Sequence, residues 1–196
     1  MRDDLRLARE IDQGDRRAFE RFLDAYGGRV HALVRRAIPN PSDAEDVTQE
    51  IFVDLFKCMG KFRGDSALST WVYRIAMNHC LKHRSRMKPD SLELDESMEQ
   101  ESDWRSNPLL SATKNELKGQ VSQALEQLTP LHRDVIVLHE LHGLTYQECA
   151  EILDIPVGTV KSRLSNAFTR LRLLLGNYVL GQDGPSLPEA IGETYR

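Results

Sequence analysis

The residues with the clearest chemical potential lie between positions 157 and 175, where the side chains are suited to binding a polyanion. This stretch carries four basic residues and no acidic one. Apolar residues recur at helical spacing, and the polar ones fall off that stripe. A basic helix that follows a sharp turn is typical of a helix-turn-helix, which presents its second helix to a DNA major groove. The alternative is a helical hairpin with a solvated basic face. The residues off the stripe are Lys161, Ser162, Arg163, Ser165, Asn166 and Arg170.

A second set of side chains suited to nucleic acid lies between positions 61 and 86. Trp71, Arg74, Asn78 and Lys82 share one face of a predicted helix. An aromatic ring, a guanidinium, an amide and an ammonium can stack on, read and neutralise nucleic acid. Stacking favours unpaired bases, because only these expose a ring face. The glycine-containing loop 62–68 before the helix is suited to walling a pocket for an extruded base. A core position for Trp71 is the alternative.

A third pattern, between positions 43 and 57, suits a protein partner. Its polar face lies away from the apolar stripe of a predicted helix and mixes charge, amide and apolar groups. Carboxylates on this face would repel phosphate, so DNA is a poor partner for it. The alternative is a solvated surface whose acids are favoured by the helix dipole. The face residues are Asp46, Gln49, Glu50, Val53 and Lys57.

Catalytic and metal-binding patterns are weak in this chain. His139 and His142 lie three residues apart, but HELH is not the HExxH zinc pattern, and Cys149 has no CxxC partner. The sequence has no nucleophile elbow, no Walker loop and no GxGxxG. We therefore expect neither an enzyme nor a metal or cofactor site.

Charge is distributed unevenly along the 196 residues, whose net charge is −4. Two basic helices, within 75–88 and 157–175, flank an acidic segment, 87–113, that has seven acidic and two basic residues. This order predicts two polyanion contacts joined by a flexible acidic linker. The three cysteines are odd in number and far apart, which favours a reduced, cytosolic protein. No apolar run approaches the length of a membrane span, and we expect no membrane contact.

Helical periodicity dominates the chain, so the predicted fold class is all-α with two small helical domains. We predict a first domain over 1–86, the linker over 87–113, a second domain over 114–175 and a tail over 176–196. Local signals place several helix starts. Capping boxes are predicted at Ser42 with Glu45 and at Thr145 with Glu148. Thr129 before Pro130 is a further start, and Pro156 marks a break.

In order and spacing, the segments from Asp4 to Leu175 resemble those of bacterial extracytoplasmic-function (ECF) RNA polymerase sigma factors of the sigma-70 family. The resemblance rests on DAEDVTQEIFVDLF, on KFRGDSALSTWVYRIAMNHCLKHRSR and on the stretch from LTPLHRD through PVGTVKSRL to LRLLL. It implies that the first motif is region 2.2, which docks on the polymerase β′ clamp helices. The second is then regions 2.3 and 2.4, which open and read the promoter −10 element. The third is region 4, which binds the β flap and the −35 element.

The resemblance also implies roles for individual residues. The implied contacts with core polymerase are Asp46, Gln49, Glu50 and Phe52, although Phe52 also suits a core position. The implied −10 contacts are Phe62, Arg63, Ser66, Leu68, Trp71, Arg74, Asn78, Lys82, Arg84 and Arg86. Among these, Asn78 and the loop 62–68 are implied to hold a flipped base. The implied −35 contacts are Thr159, Lys161, Ser162, Arg163, Ser165, Asn166 and Arg170.

The expected partners are core RNA polymerase, promoter DNA and an anti-sigma factor, in the bacterial cytoplasm. Several relatives carry bulkier or basic residues where this chain has Ser165 and Asn166, so the −35 sequence cannot be transferred. The acidic linker is expected either to act as a nucleic-acid mimic in the polymerase cleft or to serve as a tether. Three alternative functions stay open. They are a stand-alone helix-turn-helix regulator, a sigma mimic that sequesters an anti-sigma factor, and an enzyme or metal sensor that uses His139, His142 and Cys149.

Overall fold

The computed structural model describes residues 2–87 and 114–179, and every regular element in these two ranges is helical. The predicted all-α fold class is confirmed. The predicted linker, beyond Met87, and the end of the chain after Val179 lie outside the described residues. The α-helices are α1 (Arg2–Asp12), α2 (Arg16–Ala37), α3 (Pro41–Cys58), α4 (Leu68–Met87), α5 (Lys114–Glu126), α6 (Pro130–Ile136), α7 (Tyr146–Leu153) and α8 (Val157–Val179). A 3-10 turn, Met59–Lys61, follows α3, and a π turn, Val137–Leu141, continues α6.

The boundary between α1 and α2 follows from two adjacent residues. Gly14 has a φ of 83°, a left-handed conformation that glycine adopts without steric cost. Asp15 then caps α2, because its side chain accepts hydrogen bonds from the backbone N–H of Arg17 at 2.8 Å and of Ala18 at 3.1 Å. These two residues therefore end α1 and begin α2.

One predicted helix start in the first half was wrong. The N-cap of α3 is Asn40, whose Oδ1 accepts from the Ser42 N–H at 3.0 Å, so Ser42 and Glu45 form no capping box. Pro41 occupies the first helical position, where its missing N–H costs nothing. Helix α4 begins at Leu68, which is buried and joins the core.

The second half begins its helices where the sequence predicts. Thr129 accepts from the His132 N–H at 3.4 Å and caps α6. Thr145 and Glu148 form the predicted capping box of α7. Asp154 ends α7 in a left-handed conformation with a φ of 53°, which allows the sharp turn into α8. The predicted helix-turn-helix geometry of α7 and α8 is thus present.

A buried arginine ties α5 to α6. Arg133 is 7% exposed and donates to the carbonyl oxygens of Leu125 at 2.8 Å and of Leu128 at 3.0 Å. Carbonyls at the end of a helix have no partner within it, and the guanidinium supplies one. Burial lowers the Arg133 pKa from its usual value.

The two groups of helices, α1–α4 and α5–α8, pack directly against each other. Helix α4 lies along α7, while α2 contacts α6 and the π turn. The buried apolar residues form one cluster that runs through both groups, and it includes Phe22, Ile51 and Tyr73 in the first and Leu138 and Val160 in the second. Among the helices in the described ranges, none is long and apolar enough to cross a membrane.

Candidate nucleic-acid and protein interfaces

An open groove runs between α3 and α4, and we call it the α3 groove. It joins the polar face predicted on α3 to two side chains of α4. His79 ties the walls together, because its Nε2 lies 2.8 Å from a carboxylate oxygen of Asp54. The groove residues are Asp46, Gln49, Glu50, Val53, Asp54, His79 and Lys82.

Phe52 does not join Asp46, Gln49 and Glu50 in that groove. Its side chain is half-buried and packs against the core, in line with the core position that the sequence left open. The exposed apolar side chains on α3 are instead Val53, 50% exposed, and Phe56, 47% exposed. Phe56 forms a T-shaped pair with Phe19, with the ring centroids 4.9 Å apart. The sequence analysis missed Phe56, although three-residue spacing from Val53 was a usable signal.

The residues predicted to contact the −10 element occupy two different environments. Asn78, Lys82 and Arg86 are exposed on α4. Trp71 is half-buried with its ring centroid 5.6 Å from that of Phe62. We call the α4 members of the prediction the α4 set: Trp71, Arg74, Asn78, Lys82, Arg84 and Arg86.

Two apolar residues anchor the loop before α4 to the hydrophobic core. Phe62 is 6% exposed and Leu68 is 1% exposed, so the structure does not place these two predicted contacts at the surface. Arg63 is exposed, and the Ser66 hydroxyl donates to the Ala67 carbonyl at 3.3 Å. Phe62 and Leu68 therefore anchor the loop and set its position.

The face predicted to contact the −35 element is open in α8. Lys161, Ser162, Ser165 and Asn166 are exposed, and we call them the α8 face. Thr159, Arg163 and Arg170 flank it and are partly buried.

An aromatic stack supports one end of the α8 face. The Lys161 ammonium lies 5.6 Å from the centre of the Tyr146 ring, a cation–π contact. His139 also stacks on Tyr146, with the two ring centroids 4.5 Å apart. His139 is itself fixed by a 2.6 Å hydrogen bond between its Nδ1 and the Leu144 carbonyl. Sequence reasoning did not find this stack.

Acidic side chains of the second half bind two arginines of the α4 set. Arg84 donates two hydrogen bonds to the Asp134 carboxylate, at 3.0 and 2.6 Å. Arg74 donates to Glu151 at 2.9 Å. Burial acts to lower the Arg84 pKa, but the Asp134 charge and hydrogen bonds outweigh it and raise that pKa. None of these pairs was predicted.

A third contact lies beside these pairs. The Thr70 hydroxyl, fully buried on α4, donates to Glu148 at 2.6 Å. Burial acts to raise the Glu148 pKa, but its hydrogen bonds from Thr70 and Thr145 outweigh this and lower the pKa. Glu148 therefore both caps α7 and attaches it to α4.

A histidine fills the space between the two halves. The ring of His142 lies 4.7 Å from that of Tyr73, and its Nε2 is buried without a hydrogen-bond partner. Burial, together with the positive charges of Arg36 and Arg29 on α2, lowers the His142 pKa to about 4. A neutral imidazole is thus held between α2, α4 and the π turn.

The weak metal pattern does not converge in space. Among the described residues, no group of three or more His, Cys, Asp or Glu side chains is placed to hold a metal ion. His139 stacks on Tyr146, whereas the His142 ring packs at a tilt against Tyr73. Burial raises the pKa of the Cys149 thiol to about 12, so the thiolate that a metal requires is disfavoured.

Comparison with known proteins identifies the class that this architecture represents. Residues 22–88 match the family model for sigma-70 region 2, and residues 118–171 match the one for sigma-70 region 4. The chain is 36% identical over 172 residues to the RNA polymerase sigma-H factor of Pseudomonas aeruginosa, covering 84% of this chain and 89% of that protein. It is 37% identical over 169 residues to the ECF RNA polymerase sigma-E factor of Escherichia coli K12, covering 82% and 88%.

Solved structures show the same fold. The sigma factor RpoE of Bartonella quintana, in complex with the anti-sigma factor NepR, aligns with a TM-score of 0.61 at 25% identity, covering 81% of this chain and 96% of that one. CnrH, in complex with the cytosolic domain of CnrY, aligns with a TM-score of 0.64 at 24% identity, covering 89% and 97%. The chain belongs to the ECF group of sigma-70 family sigma factors.

Proposed function

We propose that this protein binds bacterial core RNA polymerase, directs it to a two-part promoter and helps to open the −10 segment. The observation that carries the proposal is the presence, in one family member, of three separate polar surfaces of different chemistry. These are the α3 groove, the α4 set and the α8 face. Holding two weak DNA contacts on one polymerase makes recognition depend on their spacing.

The proposed polymerase contact is the α3 groove. Asp46, Gln49 and Glu50 are exposed there, and their carboxylates disfavour a phosphate backbone. Val53 and Phe56 add exposed apolar area, which gives a protein partner something to bury. Phe52 is proposed to support this surface from the core side, since it is half-buried.

The proposed −10 contact is built on α4. Asn78 is proposed to recognise an extruded base, with Trp71 and the loop 62–68 as the wall of its pocket. Lys82 and Arg86, both exposed, are proposed to bind phosphates. Phe62 and Leu68 are proposed to fix the loop from within the core, because both are buried.

The proposed −35 contact is the α8 face. Ser165 and Asn166 can donate and accept hydrogen bonds at base edges, while Lys161 can neutralise phosphate or bind a guanine edge. Arg163, Arg170 and Thr159 lie beside the face and are proposed to contact the backbone.

The proposed protein partners are core polymerase and an anti-sigma factor, with the bacterial cytoplasm as the site of action. Support for the anti-sigma partner comes from the Bartonella quintana relative of the same fold, whose structure is a complex with one. The protein is proposed to act by binding, and the reaction it promotes is carried out by the polymerase.

The test is run-off transcription from a promoter library with host-matched core polymerase. We expect transcripts that need this protein and share a −35 and −10 sequence pair. Glu50→Gln, in the α3 groove, is expected to weaken core binding, whereas Glu45→Gln, exposed on the same helix outside the groove, is not. Absence of core binding by the unaltered protein would contradict the proposal, as would promoter binding that needs no polymerase.

A further inference from the structure

We infer that helix α1 positions the loop 62–68 for −10 recognition, and that Leu5 is the positioning residue that holds the middle of this loop. The inference rests on the proposed function, because it concerns the pocket proposed for an extruded base. Helix α1 lies before residues 22–88, the range that matches the region 2 family model. None of its residues belongs to the proposed polymerase, −10 or −35 contacts, so the proposed function assigns it no role.

The contact that carries the inference lies between Leu5 and Gly64. Gly64 has a φ of 79°, a left-handed conformation that glycine adopts without steric cost. A Cβ atom at this position would lie 3.0 Å from Leu5 Cδ1 and 3.2 Å from Leu5 Cδ2 and Cγ, which is closer than ordinary van der Waals contact. The Leu5 side chain therefore packs directly on the loop backbone, and the lack of a side chain at Gly64 makes this approach possible.

A second contact places the same face of α1 against the turn before the loop. Leu5, Ala8 and Asp12 are spaced i, i+3 and i+7, so they lie on one face of the helix. Ala8 is 2% exposed, and the Asp12 carboxylate occupies the space that a Cβ on Gly60 would take. Seven residues of α-helix span about 10 Å. This face of α1 thus reaches from the 3-10 turn before the loop to the midpoint of the loop.

Helix α1 is itself fixed to the first group of helices. Ile11 is 1% exposed and belongs, with Ala8, to the hydrophobic core. Glu10 accepts hydrogen bonds from Arg6 on α1 at 2.9 Å and from Arg21 on α2 at 2.5 Å. Exposed ion pairs add little stability, so the buried apolar residues are the main attachment of the helix. Because α1 is held in this way, it can act as a fixed support for the loop.

The loop needs support at its midpoint because its anchors lie at its ends. Phe62 and Leu68 are its first and last residues, and both are buried. Arg63 and Asp65, between them, are exposed. The groups of a binding pocket must be held within about 0.5 Å of the productive geometry. Leu5 supplies an apolar contact at the midpoint and so limits the movement of the segment that is proposed to wall the pocket.

The first experiment measures base selectivity by run-off transcription with the full-length protein and host-matched core polymerase. The promoter library varies one −10 position at a time. Leu5→Ala removes the three side-chain atoms that approach Gly64, so the loop should lose its fixed position. At the −10 position that Asn78→Ala also affects, the preference for the best base should fall about fivefold, the lower end of the discrimination that a base contact supplies. Core affinity and −35 selectivity should stay unchanged.

Two further variants separate positioning of the loop from general stability. Leu7→Ala makes the same truncation on the other side of α1, where the leucine is also half-buried against the core. It should keep the base preference even where chemical denaturation shows an equal loss of stability. Leu5→Met, which has a similar volume, should restore the preference. Full selectivity in Leu5→Ala would overturn the inference, as would an equal fall in Leu7→Ala or a fall spread evenly over all −10 positions.

The second experiment measures the backbone order of the loop in the free full-length protein by ¹⁵N relaxation, which reports motion on the picosecond to nanosecond timescale. The order parameter of the Gly64 amide should fall in Leu5→Ala and stay unchanged in Leu7→Ala. If circular dichroism shows that Leu5→Ala does not fold, Leu5→Val replaces it in both experiments. The valine side chain is one carbon shorter than leucine and should give the same effects at smaller size. An unchanged order parameter in the folded variant would contradict the inference.

The unaltered protein separates this inference from the proposed function. If it directs promoter-specific transcripts and Leu5→Ala retains the full base preference, only the inference fails. If no promoter-specific transcript appears with host-matched polymerase, the proposed function fails, whatever the order parameter of the loop.

Discussion

Helices α4 and α8 carry similar chemistry in very different surroundings. On α4, Arg74 and Arg84 are bound by acids from the other half of the chain, and Trp71 is half-buried. On α8, the proposed base-reading side chains are exposed, and the notable contact of Lys161 is with an aromatic ring. This difference shows that the sequence of a basic helix does not tell whether its charged side chains are free to bind DNA. Availability depends on which acidic residues the fold brings beside it.

The largest expected effect comes from removing Arg84. Arg84→Ala would leave the Asp134 carboxylate, 4% exposed, without its partner. A buried charge that loses its partner costs about 3–5 kcal/mol. We expect chemical denaturation to show a loss of that order, whereas Arg172→Ala on exposed α8 surface should change stability by less than about 0.5 kcal/mol. Similar values for both variants would remove the distinction between the two helices.

The next effect separates the two helices by promoter element. Asn78→Ala should weaken selectivity for the −10 sequence, and Asn166→Ala should weaken it for the −35 sequence, since each is an exposed amide on its own helix. A well-placed amide contact with a base contributes about 1–3 kcal/mol of discrimination. Transcription from promoters that differ in one element only measures each loss. Core affinity should be unchanged in both variants, and a loss spread equally over all promoters would contradict the assignment.

Local signals made most of the fold predictable. The capping box of Thr145 and Glu148 and the break before Pro156 depend on residues a few positions apart, so the sequence contains them whole. The start of α3 was wrong because Asn40 outcompetes Ser42 as a cap once Pro41 takes the first helical position. Neighbouring signals of similar strength compete, and only the backbone geometry decides between them.

The site was predictable where it follows helical spacing and unpredictable where it depends on packing. Periodicity placed Asp46, Gln49 and Glu50 together, as the α3 groove has them. The burial of Phe62 and the pairing of Arg84 with Asp134, which is 50 residues away, depend on how separate helices pack. Spacing along one helix carries no information about such contacts.

Low pH should weaken the packing of the second group of helices against α2 and α4 and leave the exposed α8 face unaffected. The His142 pKa is about 4 when the two groups are packed together, against about 6.5 for a free imidazole, so the packed state binds the proton less well. The groups facing it are Arg29 and Arg36 on α2 and Tyr73 on α4, and the two arginines repel an imidazolium. The contribution of His142 is complete above the free pKa and is lost as the pH falls from about 6.5 towards 4.

When the pH falls from about 7.5 to about 5.5, the free energy that holds the two groups of helices together should decrease by about 1 kcal/mol. Scattering of the full-length protein should therefore show a larger radius of gyration at the lower pH. His142→Gln, which cannot become charged, should reduce this response while other histidines remain. A response of the same size in His142→Gln would assign the pH dependence to another group.

The smallest expected effect concerns the support of α8. Tyr146 holds the Lys161 ammonium over its ring, and an exposed cation–π contact contributes about 0.5–1 kcal/mol. Tyr146→Leu should therefore weaken binding to −35 DNA by a few-fold, and Tyr146→Phe should preserve it, because the ring rather than the hydroxyl faces the ammonium. Binding assays at two salt concentrations can separate this effect from a lost phosphate contact. If both variants bind −35 DNA as the unaltered protein does, the Tyr146 ring does not help to position Lys161. The backbone of α8 would then be sufficient to place the side chains of the α8 face.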